Sequence, residues 1–303
     1  MFDRILLATT ASPTCDDAAN VAFDLAKKYK SKLFVLHILG IPSRGFGSFV
    51  TDIRTGDKES VLDDNYLALV QEEMRHTYEK QLGEYPDAII EAVAGVPHTE
   101  ILRKARQENA DLIVMGAHTR REDVGARRYR AVVGSTMQKV AKASRAPVLI
   151  ISRPCITCWW YFSNIVVGVD FSKASVSAFL FAVKTAKEIP CRLHIFHTVD
   201  VSREEISQQQ IEAKVEDARR KIDEMYLTKI GDFDAYEVDV WEGTPHVEIL
   251  KYARRKEADL IVMAHHTRET DPEQALLGST VEQVVLRAAC PVASVNHPDK
   301  VDN

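Results

Sequence analysis

Two Gly-Ser-Thr triplets, Gly134-Ser135-Thr136 and Gly278-Ser279-Thr280, carry the chemistry most easily read from this chain. Each stands just ahead of a stretch with helical spacing. Glycine there lets backbone N–H groups approach an anion, and the hydroxyls can cap the helix or donate to phosphate oxygens. Taken alone, Gly-Ser before a helix is an ordinary N-cap. Its recurrence, each time after a strand-like run and a variable loop, is what points to an anion. The chain has no GxxxxGK[ST] run, so a P-loop with its lysine is not supported. No nucleophile–histidine–acid arrangement stands out.

Three other groups invite chemistry and are read more plainly. Arg120, Arg121, Arg127, Arg128 and Arg130 crowd one stretch, and their planar forks suit phosphate or carboxylate. A solvated loop, or one paired with acidic neighbours, is the preferred reading, because charge clusters beside variable loops are common on surfaces. His118, His265 and His266 suggest a metal, yet no carboxylate or cysteine stands at ligand spacing. A histidine at a strand end that makes one backbone hydrogen bond is the expectation, with no metal site. Cys155 and Cys158 form a CxxC. Zinc would need two more ligands, and a redox pair would normally sit at a helix N-terminus, so ordinary thiols are expected.

The elements that must position these residues come from a duplication. Asp111–Val114, followed by Met115 and then His118-Thr119-Arg120, recurs as Asp259–Val262, Met263 and His266-Thr267-Arg268. Gly95-Val96-Pro97-His98 through Glu100, Ile101 and Leu102 recurs as Gly243-Thr244-Pro245-His246 through Glu248, Ile249 and Leu250. Ile5–Ala8 matches Ile165–Gly168, Leu33 and His37 match Leu193 and His197, and Ala146-Pro147-Val148 matches Cys290-Pro291-Val292. Identities in one order with small changes of offset mean tandem repeats with loop insertions.

Each repeat reads as strand, helix, strand, variable segment, helix, strand, helix, strand, helix, strand. Ile5–Ala8, Leu33–His37, Asp111–Met115 and Val148–Ile151 are short branched apolar runs, suited to strands buried on both faces of a parallel sheet. Ala18, Val21, Ala22, Leu25 and Ala26 form a helical stripe. The expected fold is α/β: two tandem doubly wound, Rossmann-like domains, each a parallel sheet of about five strands flanked by helices. Their boundaries are expected at 1–152 and 164–303, with 153–163 as linker. The linker aromatics Trp159, Trp160, Tyr161 and Phe162 are too apolar for a free tether and should pack between domains. The first repeat alone carries a long loop from Gly40 to about Asp63, bounded by turn and helix signals. In such sheets ligands sit at the carboxyl ends of the strands, near the point where strand order reverses.

Composition narrows the partners. With 46% hydrophobic and 27% charged residues the chain is globular, and a net charge of −5 argues against a general nucleic-acid binder. No apolar run approaches the roughly 20 residues of a membrane helix. Residues 1–10, MFDRILLATT, do not read as a signal peptide. Five cysteines without framework spacing suit a reducing compartment, so a cytoplasmic protein is expected.

Together these segments resemble the universal stress protein family over nearly all of both repeats, as a two-domain member. Family members look like Ile-Leu-Val-Ala-x-Asp-x-Ser at the first strand and His-Val at the end of the second. Then follow Gly-x-Pro-x-x-x-Ile, Asp-Leu-Ile-Val-Met-Gly-x-x-Gly, a short spacer, Gly-Ser and a final Pro-Val. The resemblance implies a nucleotide-hydrolase-like α/β fold that, in nucleotide-binding members, holds adenosine at the Asp and at the residue after the strand-two histidine. It also implies phosphates cradled by Gly-x-x-Gly and Gly-Ser. Carried onto the second repeat, these positions are Asp170 and Ser172, Thr198, the segment Ala264-His265-His266-Thr267, and Gly278-Ser279-Thr280. In the first repeat they are Gly116, Thr119 and Gly134-Ser135-Thr136, with Thr10 in place of the Asp. Ala264 and Thr267 replace both glycines in the second repeat, and Thr119 replaces one in the first. Ten residues separate Thr267 from Gly278 and fourteen separate Thr119 from Gly134, both longer than the family spacer. A β-branched residue where glycine is usual gives up φ > 0 and crowds a phosphate.

The resemblance therefore implies a regulatory binding module taking ATP or a related adenine nucleotide, with Mg²⁺ accompanying it, best in the second repeat. Two alternatives stand beside it. One is a nucleotide-free scaffold or other small-ligand binder with vestigial pockets, favoured by the lost glycines. The other is a slow ATPase or phosphotransferase, for which Asp170 is the evident carboxylate. Family members commonly pair through their last strands. Val148–Ile151 and Val292–Val295 could thus pair inside one chain as a pseudo-dimer, and a homodimer of two chains stays open.

Overall fold

A computed structural model describes residues 1–11, 15–40, 49–51, 58–60, 64–117, 135–152, 162–201, 207–265 and 279–296. Contacts group the chain into two compact units, Phe2–Val114 and Met115–Asn303, the latter together with Met1.

In the first unit the order is β1 (Arg4–Thr9), α1 (Asp16–Tyr29), β2 (Lys32–Gly40), β3 (Phe49–Thr51), β4 (Lys58–Ser60), α2 (Asp64–Thr77), α3 (Glu79–Glu84), β5 (Ile89–Gly95) and α4 (Pro97–Gln107). β6 (Leu112–Gly116) follows and straddles the division. β1, β2 and β5 are parallel, with Ile5 opposite Leu33 and Val35 opposite Ile90. Nearly every side chain of β1 is buried, as a strand covered on both faces requires. Ala18, Ala22, Leu25 and Ala26 of the expected stripe are buried on α1. The expected long loop after β2 contains the short antiparallel pair β3–β4, with Val50 opposite Glu59.

The second unit continues with α5 (Ser135–Ala143), β7 (Val148–Ile151), β8 (Asn164–Gly168), α6 (Lys173–Glu188), β9 (Arg192–Asp200), α7 (Gln208–Met225), β10 (Tyr236–Gly243), α8 (Pro245–Arg255), β11 (Leu260–Ala264), α9 (Ser279–Arg287) and β12 (Val292–Val295). Its strands lie in the order β10-β9-β8-β11-β12-β7. All neighbours are parallel except the last pair, where Ala293 of β12 stands opposite Leu149 of β7 in antiparallel register. The expected pairing of the two last strands is thus present. Gln138 of α5 donates to Glu282 of α9 at 3.0 Å, and the Asn296 amide donates to the Lys142 carbonyl beside it.

The fourth core strand of each repeat starts one residue later than its sequence run, because the leading aspartate is spent elsewhere. One carboxylate oxygen of Asp111 accepts the N–H groups of Asp3 and Arg4, both at 2.9 Å. Asp259 does the same for Ser163 (2.7 Å) and Asn164 (3.1 Å). Each aspartate therefore pins the entrance of β1 or β8 beside β6 or β11. Proline opens both α4 and α8, where its missing N–H has no intrahelical partner to lose. Among the described residues no helix is long and apolar enough to cross a membrane.

Candidate functional site

In the second unit, chain order runs β8, β9, β10 toward one edge and β11, β12 toward the other. The strand order therefore reverses between β8 and β11, and the carboxyl ends of those two strands bound the crevice where ligands of such sheets sit. Asp170 follows β8, Thr198 lies near the end of β9, and Ala264 ends β11 with His265 just after it. Ser279 and Thr280 open α9, as the reading of an N-terminal Gly-Ser-Thr requires. His266, Thr267 and Gly278 lie outside the described residues.

The turn from β8 into α6 is tightly built. Ser172 is the N-cap of α6, its hydroxyl accepting the Ser175 N–H at 3.0 Å. Asp170 is exposed, and its Oδ1 accepts the Ser172 N–H at 3.0 Å, an Asx turn that fixes the carboxylate. Between them Phe171 takes φ = 64°, a left-handed backbone costing a non-glycine residue on the order of 1 kcal/mol. Its ring lies 4.5 Å from the His197 ring, and the Lys221 ammonium stands 5.7 Å from its centroid.

His197 ends its own interaction at the same turn. Its Nδ1 is 2.7 Å from the Val169 carbonyl, which can only accept, so Nδ1 carries the proton. Burial holds its pKa below the usual imidazole value, with Lys221 adding to the effect and the Val169 bond and Asp170 opposing it. His37 repeats the geometry in the first unit, 3.0 Å from the Thr9 carbonyl. The strand-two histidine is thus a tie between neighbouring strands, which accounts for its appearance in both repeats.

The turn after the first strand is less hospitable to an anion in the first repeat, whereas at the helices opened by Gly-Ser-Thr it is α9 that carries an acid in its first turn, Glu282, and α5 that carries none. α1 opens on Asp16 and Asp17, whereas the first turn of α6 has no acidic residue. Negative charge at a helix N-terminus opposes a bound anion there. Burial, then Asp16, pushes the Asp17 carboxyl above its ordinary value. Thr10, standing where the second repeat has Asp170, hydrogen-bonds Cys15 Sγ at 3.2 Å. Gly116 ends β6, and Ser135 and Thr136 open α5. Thr119, Gly134, the arginines from 120 to 130 and the CxxC cysteines lie outside the described residues, as do Trp159, Trp160 and Tyr161 of the linker. Phe162 is buried.

His265 is also buried, its N–H bonded to the Val295 carbonyl at 3.1 Å. Among the described residues no group of three or more His, Cys, Asp or Glu gathers as a metal site would need. What sequence reasoning missed is a buried tyrosine behind each turn, Tyr226 and Tyr78. Both follow the variable segment, at the spacing that relates Gly243 to Gly95, and that coincidence was the available signal.

Comparison with known proteins agrees with this organisation. A sequence model described as the universal stress protein family matches residues 1–152 and again 162–296. Universal stress protein MJ0531 of Methanocaldococcus jannaschii is 32% identical over 151 residues, 46% of this chain and 85% of that protein. A solved universal stress protein from Archaeoglobus fulgidus superposes with a TM-score of 0.63 at 23% identity, covering 98% of this chain and 97% of its own. A functionally unknown protein of Pseudomonas aeruginosa, PA1789, gives 0.65 at 17% identity, covering 99% and 95%. At those identities the two structures speak for the fold.

Proposed function

Since the chain belongs to the universal stress protein family, we propose that it is a cytoplasmic regulatory module of the stress response whose second repeat binds an adenine nucleotide. ATP is the first candidate, with Mg²⁺ on its phosphates. The observation that carries the reading is the Asp170 turn. A carboxylate fixed by its own Asx turn stands at the end of β8, beside the reversal of strand order, with the capped N-terminus of α6 behind it. Asp170 and Thr198 would take the adenosine, and Ser279 and Thr280 with Gly278 the phosphates. Ala264, His265, His266 and Thr267 would line the turn between them.

The repeats are read as domains 1–152 and 164–303 joined by 153–163, which the two family matches support. The antiparallel β7–β12 pair supports an internal pseudo-dimer. A nucleotide-free scaffold is favoured by one feature, the buried methyl of Ala264 where the family has glycine. Denaturing the purified protein and measuring released adenine absorbance separates the two readings. A bound nucleotide supports binding. An empty protein that also takes up no added ATP leaves the scaffold. Linear ATP turnover abolished in Asp170→Ala would make it an enzyme instead.

A further inference from the structure

Tyr226 lies far in sequence from every motif of the site, yet it closes the hydrogen bonds of the turn that carries Asp170. Its hydroxyl accepts the Phe171 N–H at 3.0 Å and donates to Ser175 Oγ at 3.1 Å. Ser175 Oγ in turn accepts the Asp170 N–H at 3.1 Å. The phenol ring is fully buried and packs edge-on against Phe179 at 5.2 Å, so the hydroxyl has a fixed address. Two consecutive backbone N–H groups of a left-handed, non-glycine turn are thereby satisfied, that of Phe171 by the tyrosine itself and that of Asp170 by the serine hydroxyl the tyrosine holds. Without them that backbone would have no reason to keep its unfavourable conformation.

The first repeat meets the same need by another route. Ala11, at the position of Phe171, also has a left-handed φ of 51°. Its N–H goes to Thr9 Oγ1 at 2.9 Å, and Thr9 Oγ1 lies 2.6 Å from the hydroxyl of Tyr78, the counterpart of Tyr226. The second repeat has Val169 where the first has Thr9, so no hydroxyl intervenes and the tyrosine reaches the backbone itself. The two tyrosines hold equivalent turns through different atoms. A shared task explains that better than shared packing does.

We propose that Tyr226 is a positioning residue for ligand binding: by holding the Asp170–Phe171 turn it sets the carboxylate toward the adenosine, a statement resting on the nucleotide site proposed for the second repeat. The test uses the full-length chain, titrated with Mg·ATP and followed by hydrogen exchange at residues 165–175. It compares wild type, Tyr226→Phe, and Tyr226→Phe combined with Val169→Thr. Removing the hydroxyl speeds exchange of the Phe171 amide and weakens ATP about tenfold, the worth of one well-made hydrogen bond. Val169→Thr supplies the acceptor that the first repeat uses and restores both. A purely structural tyrosine would lower the melting temperature without responding to that rescue. Unchanged exchange at Phe171 in Tyr226→Phe overturns the proposal, as does faster exchange with wild-type ATP affinity. If Tyr226→Phe does not fold, Ser175→Ala removes the acceptor of the Asp170 N–H and is read in the same assays. Absence of ATP binding by wild type would sink the nucleotide reading, and with it the link to ligand affinity. The exchange experiment alone would then decide whether Tyr226 holds the turn.

Discussion

Replacing Asp259 by alanine removes the acceptor of two backbone N–H groups at once, those of Ser163 and Asn164. Hydrogen bonds to a charged group contribute about 1.5–3 kcal/mol each when shielded from water. Asp259 is half-buried and Ser163 is exposed, so water recovers part of that. A net loss of about 2 kcal/mol follows, lowering the melting temperature by about 5 °C in a domain of this size. Asp259→Asn keeps the shape and one acceptor but not the charge, and should cost about half as much. Asp111→Ala should match Asp259→Ala, because its two bonds to Asp3 and Arg4 repeat the arrangement. Urea unfolding followed by circular dichroism, at fixed pH and salt, measures all three. A loss below about 0.5 kcal/mol in Asp259→Ala, the range of ordinary surface changes, would refute the claim that this aspartate pins the strand entrance.

Other perturbations follow from the same geometry. Gly243→Ala puts a Cβ 2.7 Å from Glu248 Cγ at φ = 140° and should destabilise by about 2 kcal/mol or more. Gly83→Ala, in α3 with open space around it, should stabilise by about 0.5 kcal/mol in the same urea unfolding assay. Glu237 is pulled down to about 2 by hydrogen bonds from Lys256 and then Arg192. Its folded pKa lies below its unfolded one, so its contribution is complete above about pH 4.5 and is lost as pH falls from there toward 2. Screening at this partly exposed site limits the loss to about 1 kcal/mol. Acid titration of stability should show it, and Lys256→Met should reduce that portion, leaving the share that Arg192 supplies. For His197, NMR titration should give a pKa below 6.5, rising in Lys221→Ala as a repelling charge leaves.

Much of the fold was legible because duplication repeats its punctuation. The branched runs fell on β1, β2, β6, β7 and their counterparts, and the Gly-x-Pro and Gly-Ser segments fell where helices begin. Period and punctuation are local, which is why they show in one dimension. The apolar runs alone place Asp111 and Asp259 as the first residues of strands. Their real role needs partners about a hundred residues away, the separation of Asp259 from Ser163 being 96, and no periodicity records that. Tyr226 escaped for the same reason, its link to Ser175 spanning 51 residues. The β3–β4 pair is too short, at three residues a strand, to stamp an alternation on the sequence. Asp170 stands out through its place in the family's first-strand motif, and the N-cap bond that Ser172 Oγ accepts from the Ser175 N–H supplies the physical reason for the Ser two positions later.

Isothermal titration of the full-length chain with ATP, with and without Mg²⁺, tests the central claim most directly when wild type is set beside Asp170→Ala. Saturable binding at one site per chain is expected, abolished in the variant while Thr10→Ala, the matching position of the first repeat, leaves it intact. Binding that survives Asp170→Ala, or no heat from wild type with no nucleotide already bound, would contradict the claim.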